Sequence, residues 1–461
     1  MWLAVATWPL LPTTAPAKPA PPAAPPYLAA TQSLVAPVVA WPADTWWSDY
    51  GDPQLAQLIR EGLAGATDLR VAQARYAAAD AAVAGSRAAL LPTLSADANA
   101  GVAKQSYNYL FPTAFAPHGW KTTGQGGLNL NWEIDFWGKN RAALAAARAD
   151  SRAAGAEAAA ARLTVSTGIA AAYAELAALY AEHDAAADAA KVRAQTLALL
   201  SQRRDQGLEN DGAVARARSN LASAEGELAG LDEQLTLAGH GLAALMGAGP
   251  DRALTITRPA APTLASPGLP AEIPAQLLGR RPDVVAARAR TEAAADRIRV
   301  ARAAFYPNIN LAGVIGVQSL GLANLVKSGS DEGSVGPALS LPIFDGGQLT
   351  ARKHSAEADY AVAVAQYDGT LVQALREIAD AATSRRELTR RLTSAQEAEA
   401  AAQSAWQVAN NRYRGGLGTV LDVLVAEDAL IAARRATAAL QTRAFALDVA
   451  LVRALGGGYS A

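Results

Sequence analysis

Two stretches of this chain change period at a glycine, and that change limits what the chain can fold into. In residues 128–141, LNLNWEIDFWGKNR, the apolar Leu128, Leu130, Trp132, Ile134 and Phe136 alternate with Asn129, Asn131, Glu133 and Asp135. Such alternation describes a strand with one apolar and one wet face. Past Gly138 a helical pattern takes over, with no proline or tight-turn pair for dozens of residues. The same change recurs in residues 339–349, where Leu339, Leu341 and Ile343 alternate with small or polar neighbours before Gly346 and Gly347. A strand feeding a very long helix, twice over, leaves few architectures open.

Taken in order, residues 1–40 are rich in Pro and Ala and are expected to be a flexible leader, because the apolar start lacks a positive flank and holds Pro9. A helix is expected from Asp52-Pro53, an N-cap followed by a proline in the first helical position. A second, residues 69–90, stops before Pro92. Leu94, Ala96, Ala98, Ala100 and Val102 then alternate with Ser95, Asp97, Asn99 and Gly101 as another strand. Residues 105–123 read as a loop carrying Tyr107, Tyr109, Phe111, Phe115 and Trp120, placed at the surface rather than in an interfacial girdle. Residues 138–203 read as one helix, about 100 Å long at 1.5 Å per residue. Gly207 ends it, and Val214, Leu221, Leu228, Leu235 and Leu242 then recur every seventh residue, with Ala217, Ala224, Leu231, Ala238 and Leu245 three beyond each. That seam implies an antiparallel coiled pair.

The second half replays the first. Asp68, Arg75, Arg87 and Pro92 recur as Asp283, Arg290, Arg302 and Pro307, each 215 residues on, whereas Gly138, Gly207 and Gly247 recur as Gly347, Gly416 and Gly456, each 209 on. The offset changes only between the paired strands, so the first hairpin loop is longer and the rest keeps register. This points to an internal duplication with a period too long for a solenoid. The organisation expected is a first repeat over 41–247 with a β-hairpin at 93–137 and long helices at 138–247, a linker at 248–270, a second repeat over 271–456 with a hairpin at 308–345 and long helices at 346–456, and a tail at 457–461. Pro337, inside the last expected strand, weakens the strand reading there. The closing Gly456, Gly457 and Gly458 read as a helix end and nothing more.

Composition removes several functions. A formal net charge of -1 offers no basic surface for nucleic acid. Cysteine is absent, so thiolate metal sites and cysteine nucleophiles are excluded. His118, His183, His240 and His354 lie far apart, none with a second ligand at metal spacing. No nucleophile elbow, phosphate loop or zinc helix occurs, so neither an enzyme nor a cofactor is expected. No uninterrupted apolar run reaches 18 residues, so a membrane role falls to the strands.

Four strands cannot close a membrane barrel, and an open edge cannot face lipid, because its N–H and C=O groups would lack partners. Either the strands are not in a membrane or several chains pool them, and two chains would give only eight strands, a barrel filled by its own side chains, so three is the better expectation. Three chains would give twelve, and Asn129, Asn131, Glu133 and Asp135 suit a water-filled interior while Leu128, Leu130, Trp132, Ile134 and Phe136 face lipid. The fold class expected is mainly α with a membrane β-barrel, built from a duplicated strand-strand-helix-helix repeat, with coiled helical pairs as a tunnel.

The chain resembles the outer membrane efflux protein family, the TolC-like ducts, and within it the lipoprotein branch serving resistance-nodulation-division pumps. The resemblance rests on WWSDYGDPQLAQLI at 46–59, RRPDVVAARARTEAAADRIRVARAAFYPNINL at 280–311, LSLPIFDGG at 339–347 and RYRGGLGTVLDVLVAEDAL at 412–430. It implies a homotrimer in the outer membrane, with a twelve-stranded barrel and a periplasmic tunnel receiving substrate from an inner membrane efflux pump through a periplasmic adaptor. The lipoprotein branch is acylated at a cysteine that this sequence does not contain. The resemblance also carries Asp422 as one of three carboxylates ringing the tunnel's narrow end, although Val425 and Ala213 stand where some members are acidic. Tyr413 and Arg414 are candidates for contacts that hold the tunnel shut. The breaks at Gly207, Leu208, Gly415, Gly416, Leu417 and Gly418 reverse two helices in any reading, and under the resemblance they also dock the adaptor. The competing readings are a periplasmic coiled-coil scaffold and the duct of a type I protein secretion system.

Overall fold

The computed structural model describes residue 34 and residues 36–108, 113–115, 117–260, 262–264, 268–270 and 273–460. Most of the expected leader, and Tyr109 and Phe111 of the expected loop, lie outside the described residues. Among the described residues, eight α-helices and four strands run in the order α1 (Pro53–Gly65), α2 (Thr67–Ala88), β1 (Thr93–Lys104), β2 (Trp120–Glu133), α3 (Lys139–Asp205), α4 (Asp211–Leu245), α5 (Ile273–Arg280), α6 (Pro282–Ala303), β3 (Asn308–Leu320), β4 (Asp331–Ser340), α7 (Gln348–Arg414) and α8 (Val420–Ala454). Helices α2 and α6 each have 22 residues, α3 and α7 each 67, and α4 and α8 each 35. Equal lengths at the offsets of the sequence repeat are what a duplicated unit produces. Compactness, however, does not follow the repeat boundary, since the chain packs as two units that each draw on both halves.

One unit comprises described residues 76–153 and 287–367 and holds the sheet. The four strands are antiparallel and lie in chain order, leaving β1 and β4 as edges. Register puts like beside like. Leu94 faces Leu130, Ala96 faces Leu128, Leu128 faces Ile315, Trp132 faces Leu311, and Ile309 faces Leu339 on one side; Ser95 faces Asn129, Thr93 faces Asn131, Gln125 faces Gln318, and Asn308 faces Ser340 on the other. Pro337 sits in β4, where an edge strand tolerates a missing N–H.

Two strand limits differ from expectation. Strand β2 begins at Trp120, opposite Lys104, so Trp120 belongs to the strand and not to the loop. It ends at Glu133, so Ile134, Asp135 and Phe136 lie beyond the strand on which they were expected. The cause is Asp135, whose carboxylate accepts from the backbone N–H of Asn140 at 3.0 Å and of Arg141 at 2.8 Å, satisfying donors that the start of α3 leaves open. Glu133 stays on the wet face and pairs with Lys139 at 2.6 Å. In the hairpin loop Tyr107 stacks on His118 with ring centroids 4.8 Å apart, and Phe115 is exposed.

The other unit comprises described residues within 24–75, 154–286 and 368–461. Asp52 caps α1 through the N–H of Gln54 and Leu55, and Pro53 follows at the first helical position. Leu55, Leu58 and Ile59 of α1 pack with Trp46, Trp47 and Tyr50 of the preceding 3-10 turn, and with Ile169 and Tyr173 of α3, Leu242 of α4 and Phe445 of α8. An 18-residue window of α3 is apolar enough to cross a bilayer by composition, but α3 supplies Ile169, Ala170, Tyr173 and Leu176 to this core.

Antiparallel pairing of α3 with α4 is recorded by Arg193, which donates to the Asn220 carbonyl at 3.0 Å, and by His183, 3.1 Å from Asp232. Arg434 to Gln403 and Thr437 to the Ala395 carbonyl do the same for α8 with α7. The expected linker is packed rather than free. Thr257 bonds Gln54, Thr263 N–H donates to the Tyr50 carbonyl, and Leu269 exchanges backbone bonds with Pro37 and Val39, which orders the end of the expected leader. The closing glycines do more than end α8. A Cβ on Gly458 would lie 2.3 Å from the Ala43 carbonyl carbon, and one on Gly456 2.1 Å from the Arg280 carbonyl oxygen.

Candidate functional site

The breaks between the long helices share one backbone design. Gly207 and Gly416 take φ of 75° and 73°, the left-handed conformation that lets a helix end without a Cβ clash. In both, the next residue returns its N–H to the chain: Leu208 to the Arg203 carbonyl and Leu417 to the Arg412 carbonyl, each at 2.8 Å. Gly207, Leu208, Gly415, Gly416 and Leu417 are exposed and Gly418 is half-buried.

Beyond the two glycines the helix caps differ. Asn210 caps α4 by accepting from Ala213 N–H. Thr419 caps α8 in a reciprocal box, its hydroxyl accepting from Asp422 N–H at 3.2 Å while the Asp422 carboxylate accepts from Thr419 N–H at 2.9 Å. Asp422 is exposed, and the Thr419 backbone N–H, followed by the Thr419 hydroxyl, holds its pKa below the ordinary carboxylate value.

Tyr413 and Arg414, adjacent in sequence, go to different places. Tyr413 is buried among Leu200, Val214, Ala217 and Val423. Its hydroxyl donates to Glu209 at 2.7 Å, and the Arg203 guanidinium lies 4.6 Å from its ring centroid. Burial, reinforced by Glu209, pushes the phenol pKa up to about 12, so it remains a donor at any physiological pH. The last turn of α7 is thereby fastened to the loop between α3 and α4. Arg414 points to solvent.

Glu209, Arg203 and Glu427 belong to this end of the helices, and residue-by-residue reading missed them. Glu427 is buried, 1% exposed, with Oε2 accepting from the Thr196 hydroxyl of α3 at 2.5 Å. A signal was present. Three residues beyond the apolar seam positions Leu424, Ile431 and Phe445 of α8 stand Glu427, Arg434 and Asp448, polar residues inside an apolar repeat. Each of these polar residues meets another helix: Glu427 meets Thr196, Arg434 meets Gln403, and Asp448 pairs with Arg385. Polar residues inside a heptad seam fix register at a cost in stability. Among the described residues no cluster of His, Asp and Glu could hold a metal ion.

Comparison with known proteins agrees with this geometry. Residues 58–248 and 273–457 match the model of the family described as outer membrane efflux protein. The chain is 30% identical over 428 residues to the multidrug resistance outer membrane protein MdtP of Escherichia coli K12, covering 91% of this chain and 88% of MdtP. It is 38% identical over 325 residues to the fusaric acid resistance protein FusA of Burkholderia cepacia, spanning 69% of this chain and 60% of FusA. Among solved structures, the outer membrane protein VceC of Vibrio cholerae superposes with a TM-score of 0.86 at 47% identity, over 91% of this chain and all of VceC. The two-segment family match falls on the two halves of the duplication, and the chain belongs to the outer membrane efflux protein family.

Proposed function

We propose that three copies of this outer membrane efflux channel assemble into a passive export duct, pooling twelve strands in a membrane barrel and long helices in a periplasmic tunnel. One observation carries the reading: a four-stranded sheet with both edges open and one apolar face left bare. Leu94 is 67% exposed, Ile315 67%, Val335 75% and Leu339 70%. A lone sheet of this kind invites aggregation, whereas edge-to-edge closure in lipid satisfies the edges and buries the bare face at once. Strands of 10 to 14 residues are long enough to cross the bilayer. The opposite face, with Asn129, Asn131 and Gln125, then lines the water-filled lumen.

In this reading the inner membrane pump supplies the energy, a periplasmic adaptor docks at the tips around Gly207 and Gly416, and three copies of Asp422 ring the narrow end. The Tyr413 to Glu209 bond is the fastening that opening must break. Sedimentation of the purified protein in detergent tests the assembly, with a trimer expected. A monomer that stays soluble and fully helical without detergent would refute it.

A further inference from the structure

Glu427 places an ionisable carboxyl where α8 packs on α3, five residues beyond Asp422. Two charges act on it, Arg193 of α3 and Asp428 of its own helix. Arg193 is already committed. Its Nη1 donates to the Asn220 carbonyl of α4 at 3.0 Å, its Nη2 lies 3.2 Å from Asp428 Oδ1, and its buried Nε has no hydrogen-bond partner. The guanidinium therefore ties α3 to α4 and α8, and its unpartnered Nε is the donor it has left.

We propose that Glu427 is a proton-operated latch: neutral, it holds α8 to α3 through Thr196; ionised, it loosens that contact and frees the α8 tip that carries Asp422. The inference rests on the duct reading above and adds a regulatory input to it. An ionised carboxylate at this site meets one of two fates. It stays buried with the Thr196 hydroxyl as its one hydrogen-bond donor, which packing disfavours, or it draws the Arg193 guanidinium toward itself and strains the bonds to Asn220 and Asp428. Both loosen the same three helices.

Burial raises the Glu427 pKa above the ordinary carboxyl value, against the opposing Thr196 hydrogen bond and the Arg193 charge. Packing favours the neutral form, so the fastened arrangement is most stable below the ordinary carboxyl pKa and loses stability as pH rises toward the raised one. Each unit of pKa difference between fastened and released states changes their ratio about tenfold. The Asp422 pKa is lowered by the Thr419 N–H and hydroxyl, a shift opposite in direction to that of Glu427.

The test is open probability of the purified trimer in planar bilayers across about pH 4 to 8, a range bracketing ordinary and raised carboxyl values. A second readout is the distance between spin labels at Leu208→Cys and Leu421→Cys, which are unique sites because the chain has no native cysteine. In the wild type, openings and label separation should both rise with pH. Glu427→Gln keeps an acceptor for Thr196 but cannot ionise, and should hold both readouts at their acid values throughout. Thr196→Val should raise openings at every pH while retaining the pH response. A pH-independent wild type, or a Glu427→Gln trimer that responds as the wild type does, would overturn the latch while leaving the duct intact. Absence of any channel would overturn both.

Discussion

Asp448 offers the sharpest test of how the helical unit is held together. Its carboxylate pairs with Arg385 of α7 and accepts from the Tyr50 hydroxyl at 2.7 Å, while the Arg385 and Asp448 side chains are 13% and 9% exposed. Asp448→Ala strips both partners at once. Removing one member of a buried ion pair costs about 3–5 kcal/mol because a buried charge loses its counter-ion. Tyr50→Phe removes only a hydrogen bond to a charged acceptor, roughly 1.5–3 kcal/mol, and keeps the ring 4.9 Å from Phe445. The double change Asp448→Leu with Arg385→Met replaces the pair with apolar volume and should recover most of the loss, since a buried pair is often no better than a hydrophobic replacement. Urea unfolding followed by helical circular dichroism gives the ranking: wild type and double variant most stable, Tyr50→Phe intermediate, Asp448→Ala least. Equal losses for Tyr50→Phe and Asp448→Ala would show that the Arg385 charge is satisfied without Asp448, and the reasoning would fail.

The same geometry sets other expectations. Trp132→Arg should impair trimer assembly more than Asn131→Arg, because a charge on a lipid face near the bilayer midplane costs roughly 2–4 kcal/mol and one in the lumen does not; equal trimer yields would mean that the faces are assigned the wrong way round. Gly458→Ala should lower the unfolding midpoint, since its φ is +84° and a Cβ would meet the Ala43 backbone, and an unchanged midpoint would show that this terminal turn yields freely. Tyr413→Phe should raise resting conductance, its lost bond to half-buried Glu209 being worth about 1.5 kcal/mol, whereas Arg414→Ala, exposed in the structure, should change little. Asp422→Asn keeps an acceptor for the Thr419 N–H and should preserve the helix start while reducing cation preference in single-channel recordings. An unchanged preference would leave Asp422 as a cap alone.

The strands and long helices were legible because their signals are local. Alternation from Leu94 to Val102 and from Leu128 to Glu133 needs only neighbours in sequence, and the glycines that end α3 and α7 are demanded by their own backbone. Where β2 stops was harder to see. Asp135 continues the alternation perfectly, yet the open N–H groups of α3 claim its carboxylate, and the demands of a helix start override the pattern of a strand. The fastenings at the tips were out of reach for another reason. Tyr413 meets Glu209 across 204 residues and Thr196 meets Glu427 across 231, so neither partner marks the other. Only the second left a trace, as a polar residue inside the α8 seam, and laying α4 beside α8 shows what the repeats do not share.

That comparison shows where a duplicated chain has differentiated. The two tips keep the same backbone, with matching φ at Gly207 and Gly416 and matching return bonds from Leu208 and Leu417. Their side chains diverge. At the offset of 209, Tyr413 corresponds to Arg204, Gly418 to Glu209, Asp422 to Ala213, and Glu427 to the exposed Arg218. The second tip thus carries the phenol, the capping carboxylate and the buried acid, and the first carries the Glu209 acceptor that the phenol uses. A tip fastened in this way depends on both repeats, since neither holds donor and acceptor together. Exchanging the two positions, by Tyr413→Arg with Arg204→Tyr, should therefore fail to restore a low resting conductance, because Gly418, the counterpart of Glu209, offers the relocated phenol no carboxylate. Restoration in planar bilayers would show that the repeats remain interchangeable at their tips and that Glu209 is not the partner that matters.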